Sequence, residues 1–340
     1  MAKRPMKPCG SAYNLTIVGV PLDRPPYIRL VNVLETPAAR SALAMLRDEG
    51  GWRLKPDHLY NRPRALLSNL MTLSSPARPL ALVTGASSGI GAAFARRLAA
   101  RGHDVALVAR RQDRLEALAA ELDAAHGVSC LVIALDLSLA DAHDRVLTAL
   151  AERPVAVLVN NAGYSLAAAY AQTDWPAQRD CVMTLVMAVC ALTHAVLPGM
   201  LATGQGRIIT ISSILALSQG GPGHTVYPAA KSFVLKFMLS LHAEVKPWGV
   251  RVTCVLPGST ASEFQSANGT QAAMQGMPKA FIASPEQVVD AALAASDRGQ
   301  LVVIPGGYNR LAALMFRLLP DGLQRWVATH ATVAFAGGIR

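Results

Sequence analysis

Apolar and polar positions alternate between two patterns from residue 80 onward. Short, almost wholly apolar runs are typical of strands that are buried on both faces. Seven such runs occur, at Leu80–Thr84, Asp104–Ala109, Ser129–Asp136, Val155–Asn160, Gly206–Ser213, Val250–Leu256 and Leu301–Ile304. Segments with helical periodicity lie between them, among them Gly89–Arg101, Asp113–His126 and Ala140–Glu152. This alternation predicts an α/β fold, a doubly wound, Rossmann-like parallel sheet of about seven strands with helices on both faces.

The most apolar stretch, Cys181 to Leu197, could be mistaken for a membrane span. It falls short of the roughly 20 residues that a span needs. It also contains Thr184, Thr193 and His194, and Pro198 with the glycine that follows is expected to end it. The pattern favours a buried central helix.

Residues 1–79 are rich in Pro and Arg and have no sustained period, so we predict a poorly structured basic extension with one short helix from Pro37 to Glu49. The apolar stretch Leu15–Val20 is shorter than the roughly 7 residues that a signal peptide requires. Every motif described below follows Met71, which could be an alternative start. The folded domain is predicted over 80–308, and an apolar helical tail over 309–340.

Composition excludes several classes of protein. The chain is 52% hydrophobic and 16% charged, which excludes disorder of the whole chain. The net charge is +10, but residues 1–79 carry 12 Lys and Arg against 5 Asp and Glu, so the folded domain is nearly neutral and no nucleic-acid partner is expected. The five cysteines are scattered and the histidines lack metal-ligand spacing; we therefore predict a reducing, cytoplasmic location and no metal site.

The apolar segment Leu311–Leu319 is interspersed with arginines at 310, 317 and 325. It is too short to span a bilayer. Three placements remain open: on a membrane surface, over a binding cleft, or against another subunit. Packing on its own protein is the commonest outcome for such a helix.

A glycine-rich turn connects the first strand to the first helix and consists of Thr84, Gly85, Ala86, Ser87, Ser88, Gly89, Ile90 and Gly91. Glycines let the backbone turn sharply, so that amide donors at the helix N-terminus can approach a pyrophosphate. Glycines also close ordinary turns, but a strand before and a helix after favour a dinucleotide site.

The second strand ends in Arg110 and Arg111, where a site for NAD would place an acidic residue to bind the ribose 2′-hydroxyl. Two guanidinium groups suit a 2′-phosphate, which predicts NADP(H) in preference to NAD(H). The alternative is that both arginines are merely solvated at a strand end.

In these motifs the chain resembles the short-chain dehydrogenase/reductase family in its ordinary single-domain form, over about 80–305. The ordered set adds to the glycine turn the residues Asp136, Leu137, Asn160, Asn161, Ala162, Gly163, Ser213, Tyr227, Lys231, Pro257, Gly258 and Ser262. The resemblance implies that Asp136 and Leu137 lie against the adenine, and that 160–163 support the central strand and the cofactor's sugar. It places Ser262 at the nicotinamide carboxamide. The alternatives are a helix cap at Asp136 and an ordinary turn at 160–163.

The resemblance assigns Tyr227 as general acid/base, Lys231 as its tuning cation and nicotinamide-ribose ligand, and Ser213 as the anchor of the substrate oxygen. Reduction of a ketone produces an alkoxide that needs a proton as its charge develops. Tyr227 and Lys231 are four residues apart, so they share one face of a helix. We expect the ammonium group to lower the pKa of the phenol from its usual value of about 10.

Two positions depart from the family pattern. The interval from Ser213 to Tyr227 is one residue longer than usual, so Ser212 or Ser218 could take the serine's role. Counting from either side places Leu185 where the family has a catalytic asparagine, and leucine makes no hydrogen bonds. Water or Thr184 could replace the proton relay and leave a slower enzyme, or the chain could bind cofactor without activity.

The resemblance therefore predicts an NADP(H)-dependent oxidoreductase that interconverts a carbonyl and a secondary alcohol, with a silent cofactor-binding protein as the alternative. Residues 263–283 predict either a mobile lid, with Met274 and Met277 against an apolar substrate, or a plain surface loop. A small apolar carbonyl or alcohol, with or without an acyl chain, is the expected substrate. The family resemblance implies a homodimer or homotetramer.

Overall fold

The computed structural model describes residues 78–166, 168–223, 225–263 and 281–326. The helix expected at 37–49, the alternative start at Met71 and all but the last two residues of the basic extension lie outside the described residues. So do most of the expected lid, with Met274 and Met277, and residues 327–340 of the tail.

One parallel sheet of seven strands forms the centre of the fold, in the order β3-β2-β1-β4-β5-β6-β7. The strands are β1 Leu80–Thr84, β2 Asp104–Ala109, β3 Cys130–Ala134, β4 Val155–Asn160, β5 Gly206–Ile211, β6 Val250–Val255 and β7 Val302–Val303. The predicted fold class is confirmed. Four strands end before their predicted ends, because the apolar runs continue into buried connections such as Leu135 and Leu256.

The α-helices with described bounds are α1 Gly89–Ala100, α2 Gln112–His126, α3 Ala142–Leu150, α4 Trp175–Val182, α5 Ala188–Thr203, α6 Val226–Val245, α7 Pro285–Asp297 and α8 Gly307–Leu318. Residues 321–326 are helical as well. Successive residues of a strand face opposite sides of a sheet. In β1, Ala81 and Val83 therefore pack with α1, α2 and α7, whereas Leu80 and Leu82 pack with α3, α5 and α6. Burial on both faces explains why the strands read as continuous apolar runs.

The apolar central segment is a helix with a π turn at Met183–Met187 between α4 and α5. The expectation that Pro198 ends it is wrong, since α5 continues to Thr203 and ends at Gly204 in the left-handed conformation. Pro198 and His194 are exposed, so water can reach the His194 carbonyl that loses its helical partner. Among the described residues, 175–203 is the one helix apolar and long enough to cross a membrane, but its inner face packs on the sheet.

Helix α8 packs its first turn against the connection that follows β6. Asn309 is buried, and its Nδ2 donates to Pro305 O at 2.8 Å. A Cβ atom on Gly258 would lie 2.1 Å from Asn309 Oδ1, so this approach requires a glycine. The opposite side of α8 is apolar and exposed, with 58% of Leu311 and 70% of Leu318 accessible.

We predict that Gly258→Ala lowers the free energy of unfolding by about 1–3 kcal/mol, because the new methyl group overpacks the contact with Asn309. Urea denaturation measures the change. Gly307→Ala is the control, since nothing lies within 4 Å of a Cβ on Gly307. The cost should shrink in an Asn309→Ala background; an equal cost in both backgrounds contradicts the prediction.

Candidate functional site

The glycine turn lies between β1 and α1, at the point where the strand order reverses. Gly85 and Gly89 have φ values of +66° and +54°, a region that L side chains rarely adopt. A Cβ atom on Gly91 would lie 2.1 Å from Gly85 O, and one on Gly89 would lie 2.9 Å from Ser262 Cβ. Ile90 packs against the core and fixes the start of the helix. The turn is therefore a tight cradle with Ser262 at its rim.

Thr84, the last residue of β1, connects this turn to the end of β4. Its Oγ1 accepts hydrogen bonds from the backbone N–H groups of Asn161 at 2.9 Å and Ala162 at 3.0 Å, and it donates to Val159 O at 3.2 Å. Asn161 Nδ2 donates back to Thr84 O at 2.9 Å. The residues predicted after β1 and β4 thus form one hydrogen-bonded unit.

The open edge of the turn carries a cluster of charged and hydroxyl side chains. Arg111 donates from Nε and Nη2 to Ser87 Oγ at 3.2 and 2.9 Å, and from Nη2 to Ser88 Oγ at 2.9 Å. Its Nη1 donates to Glu263 Oε2 at 2.8 Å, and Arg114 donates to Glu263 Oε1 at 2.5 Å. These two hydrogen bonds lower the pKa of Glu263 to about 2.

The second predicted arginine is less constrained. Arg110 is 70% exposed, and its Nη1 lies 3.8 Å from Asp136 Oδ2. Asp136 Oδ1 accepts from the backbone N–H of Ser138 at 2.9 Å, which closes a local turn rather than capping α3. Leu137 is buried in the core. Arg110 and Asp136 therefore line the edge next to β2 and β3.

This arrangement fits a phosphate-bearing dinucleotide. Added Cβ atoms would fill the cradle at the glycines, and the helix N-terminus behind it favours an anion. Hydroxyl and guanidinium donors flank the cradle at Ser87 and Arg111. Among the described residues, no group of three or more His, Cys, Asp or Glu side chains could hold a metal ion.

A second cluster lies at the ends of β5 and β6 and on α6. Ser213 Oγ accepts from Leu215 N at 3.1 Å, and the Ser213 side chain is hydrogen-bonded to Tyr227. Lys231 is 5% exposed; its Nζ donates to Ile211 O at 2.7 Å and lies 5.6 Å from the centroid of the Tyr227 ring. Tyr227 and Lys231 face the same side, as their spacing predicts.

The two alternative serines have other partners. Ser212 Oγ donates to the backbone carbonyl of Lys231 at 2.8 Å, and Ser218 Oγ donates to Leu215 O at 2.8 Å. The connection after β6 is tied to the same loop, because Ile214 N donates to Pro257 O at 3.0 Å. The serine beside the phenol is Ser213.

Burial controls the ionisation of both groups. It raises the pKa of Tyr227 to about 12, and the hydrogen bond with Ser213 offsets only part of that rise. It lowers the pKa of Lys231 to about 8. The expected net lowering of the Tyr227 pKa is therefore wrong for this structure, because loss of solvation raises the pKa and the interaction that lowers it is the hydrogen bond with Ser213.

Leu185 lies in the π turn and is 1% exposed. Its Cδ2 is 2.7 Å from the position that a Cβ on Gly163 would take, and Lys231 Nζ is 3.8 Å from the same point. Thr184 Oγ1 is buried and has no hydrogen-bond partner among the described residues. An apolar side chain thus lies close to the Lys231 ammonium group, and the residue before it in the chain carries an unpaired buried hydroxyl.

Sequence reasoning missed three residues with clear contacts. Arg114 follows Arg111 by three positions on α2, a spacing that could have indicated a shared face. Glu263 belongs to no motif, and its long-range contacts with Arg111 and with Arg114 of α2 have no local signal. Asn309 likewise reaches Gly258 only through the docking of α8.

A family model described as short chain dehydrogenase matches residues 79–273. Among curated proteins, the very-long-chain 3-oxoacyl-CoA reductase of Anas platyrhynchos is 38% identical over 189 residues, which cover 54% of this chain and 60% of that protein. The sulfoacetaldehyde reductase of Chromohalobacter salexigens is 39% identical over 203 residues, covering 57% and 78%. The matches to very-long-chain reductases thus span about 60% of those relatives' length.

Solved structures are similar over the whole domain. A short-chain dehydrogenase from Sphingobium yanoikuyae in complex with NADPH is 36% identical with a TM-score of 0.63, covering 69% of this chain and 92% of that one. A bulky-bulky ketone specific alcohol dehydrogenase from Comamonas testosteroni is 33% identical with a TM-score of 0.60, covering 72% and 96%.

We predict that Thr84→Val lowers the free energy of unfolding by about 1–3 kcal/mol, because it leaves two backbone N–H groups without their acceptor. Chemical denaturation measures the change. Thr84→Ser keeps the hydroxyl and should lose less than half as much. If both variants lose the same amount, the hydroxyl does not hold the strand ends together.

Proposed function

The chain belongs to the short-chain dehydrogenase/reductase family, and we propose that it is an NAD(P)-dependent oxidoreductase that interconverts a carbonyl and a secondary alcohol. The observation that carries this proposal is the hydrogen-bonded pair of Ser213 and Tyr227, with Lys231 below the phenol ring. The cluster lies at the same edge of the sheet as the phosphate cradle, where the carboxyl ends of the strands meet.

The proposed cofactor is NADP(H) in preference to NAD(H). When bound, its nicotinamide supplies or accepts the hydride. The glycine turn would hold the pyrophosphate, and Ser87 with the two arginines at 110 and 111 would face the 2′-phosphate. By family resemblance, Asp136 and Leu137 would contact the adenine and 161–163 the sugar. Support also comes from the similar Sphingobium structure, which contains NADPH.

In this mechanism Ser213 orients the substrate oxygen and Tyr227 donates a proton to it as negative charge develops. A Tyr227 pKa of about 12 keeps the phenol protonated at neutral pH, which suits a proton donor. A Lys231 pKa of about 8 keeps most of that amine protonated at pH 7, so a cation stands ready to stabilise the phenolate. The free protein therefore holds Tyr227 in the form that donates a proton.

Leu185 affects the step that follows proton donation, the reprotonation of Tyr227. The phenolate must regain a proton from solvent, and a leucine next to Lys231 offers no hydrogen bond to a relay water. Thr184, the residue before Leu185 in the same turn, carries a buried hydroxyl with no hydrogen-bond partner among the described residues. We propose a relay through water, with Thr184 as its support, and a correspondingly slower enzyme. The second candidate, a silent cofactor-binding protein, is favoured by Leu185 alone.

The proposed substrate is an apolar carbonyl or alcohol. Ile214 and Leu215 follow Ser213 directly, and the aromatic rings of Phe281 and Tyr308 stack at 4.1 Å between centroids. The similar proteins include a 3-oxoacyl-CoA reductase and a bulky ketone dehydrogenase, which supports a substrate of this kind.

We also propose a homo-oligomer, either a dimer or a tetramer, in the cytoplasm. Large apolar side chains are exposed on the central helices, with 49% of Met187 and 46% of Phe233 accessible. The described cysteines are free thiols, which suits a reducing compartment.

We predict that Tyr227→Phe lowers kcat for NADPH-dependent carbonyl reduction by at least about 100-fold, because the proton donor is removed. Turnover should be measured with a panel of ketones, aldehydes and 3-oxoacyl thioesters, and NADPH affinity by titration, which should change little. Tyr170→Phe is the control, since Tyr170 is exposed and outside the cluster. Retention of activity in Tyr227→Phe, or a wild type that binds NADPH without turnover, contradicts the proposal.

We predict that Leu185→Asn raises kcat about ten-fold, because the amide can hydrogen-bond a relay water beside Lys231. Leu185→Ala is the matched variant: it opens space without adding an amide and should not raise kcat. Thermal unfolding checks that both variants are folded, since a buried leucine is lost in each. Rapid turnover by the wild type with no gain in Leu185→Asn would show that the relay is intact.

A further inference from the structure

We propose that Glu263 determines cofactor specificity: its carboxylate competes with the 2′-phosphate of NADP(H) for Arg111 and so weakens the preference for NADP(H) over NAD(H). This inference rests on the proposed function. It assigns a role to a residue outside the glycine turn and outside the arginine pair after β2.

Every nitrogen of the Arg111 guanidinium group already has a partner within the protein. Nε and Nη2 donate to Ser87, Nη2 also donates to Ser88, and Nη1 donates to Glu263. Hydroxyl groups can exchange a guanidinium for water at little cost. The bond to a carboxylate is charge-assisted and stronger, so Glu263 is the partner that holds Arg111.

Two arginines converge on this one carboxylate. Glu263 accepts from Arg111 with one oxygen and from Arg114 with the other, at 2.8 and 2.5 Å. The carboxylate therefore partly neutralises the positive charge that the two guanidinium groups present at the edge of the phosphate cradle. Glu263 stays ionised at every working pH, since its pKa is about 2.

A 2′-phosphate bound by Ser87 and Arg111 would lie next to this carboxylate, because one guanidinium group contacts both. The phosphate carries close to two negative charges, and like charges this close repel. The 2′-hydroxyl of NAD(H) is neutral and meets no such repulsion. Glu263 thus acts against one of the two cofactors only.

The site is open to solvent, which limits the size of the effect. About 42–45% of each side chain in the cluster remains exposed, so salt and water screen the repulsion. We therefore expect removal of the charge to change affinity by about ten-fold at low ionic strength, and by less at high salt.

The experiment compares the full-length wild type with Glu263→Gln by fluorescence titration with NADPH and NADH. The expected result is a Kd for NADPH about ten-fold lower in the variant, with the Kd for NADH changed less than two-fold. Adenosine 2′,5′-bisphosphate should show the same gain, because it carries the 2′-phosphate without the nicotinamide. In an Arg111→Ala background the gain should be smaller, because the competition for Arg111 is gone and only the repulsion between the carboxylate and the phosphate remains.

Glu121→Gln is the matched control. Glu121 is 49% exposed and forms an ion pair with Arg96 on the outer side of α1 and α2, so its loss removes the same charge elsewhere. It should leave both dissociation constants unchanged.

Weaker NADPH binding by Glu263→Gln would overturn the proposal, because Glu263 would then orient Arg111 for the phosphate instead of competing with it. Equal changes for NADPH and NADH would overturn it as well. NADPH binding without turnover defeats the proposed function but leaves this inference standing, since its readout is affinity. A wild type that binds neither dinucleotide defeats both.

Discussion

The hydroxyl of Thr84 holds together the two strand ends on which the rest of the site depends. β1 and β4 are neighbours at the centre of the sheet, and the chain leaves them in opposite directions to reach β2 and β5. Such a reversal opens a crevice at the carboxyl ends of the strands. One oxygen with three hydrogen bonds closes the bottom of that crevice, so the turn above it and the segment after β4 keep a fixed separation.

Loss of solvation is the second constraint, and it acts on the proton chemistry. Lys231 is buried and Tyr227 is half-buried, and loss of solvation moves the pKa of the phenol up and that of the amine down. Near neutral pH the phenol is therefore protonated and can donate a proton, and most of the amine is still cationic, although burial opposes its charge. Apolar neighbours such as Leu185 strengthen this effect and at the same time withhold hydrogen bonds from the lysine.

Most of the fold was predictable because burial on both faces leaves a plain signal, as in the runs at Leu80–Thr84 and Val250–Val255. The glycine turn and the spacing of Tyr227 and Lys231 were predictable because both are local. The continuation of α5 through Pro198 was not, since it depends on which side of the helix meets water. The contacts of Glu263 arise only when distant segments meet in the fold. The same holds for the Tyr227 pKa, which depends on how far burial and the hydrogen bond with Ser213 offset each other.

The π turn at Met183–Met187 gives the central helix an extra residue within one turn. Each residue of an α-helix advances by about 100°, so the extra residue rotates the side chains of α4 about the helix axis relative to those of α5. Cys181 therefore packs in the cluster around Tyr227 and Leu192 packs against the sheet, although both belong to one continuous helix. Deletion of one residue from this turn would rotate α4 by about 100° relative to α5. The sequences of α4 and α5 would be unchanged, but their side chains would face different neighbours.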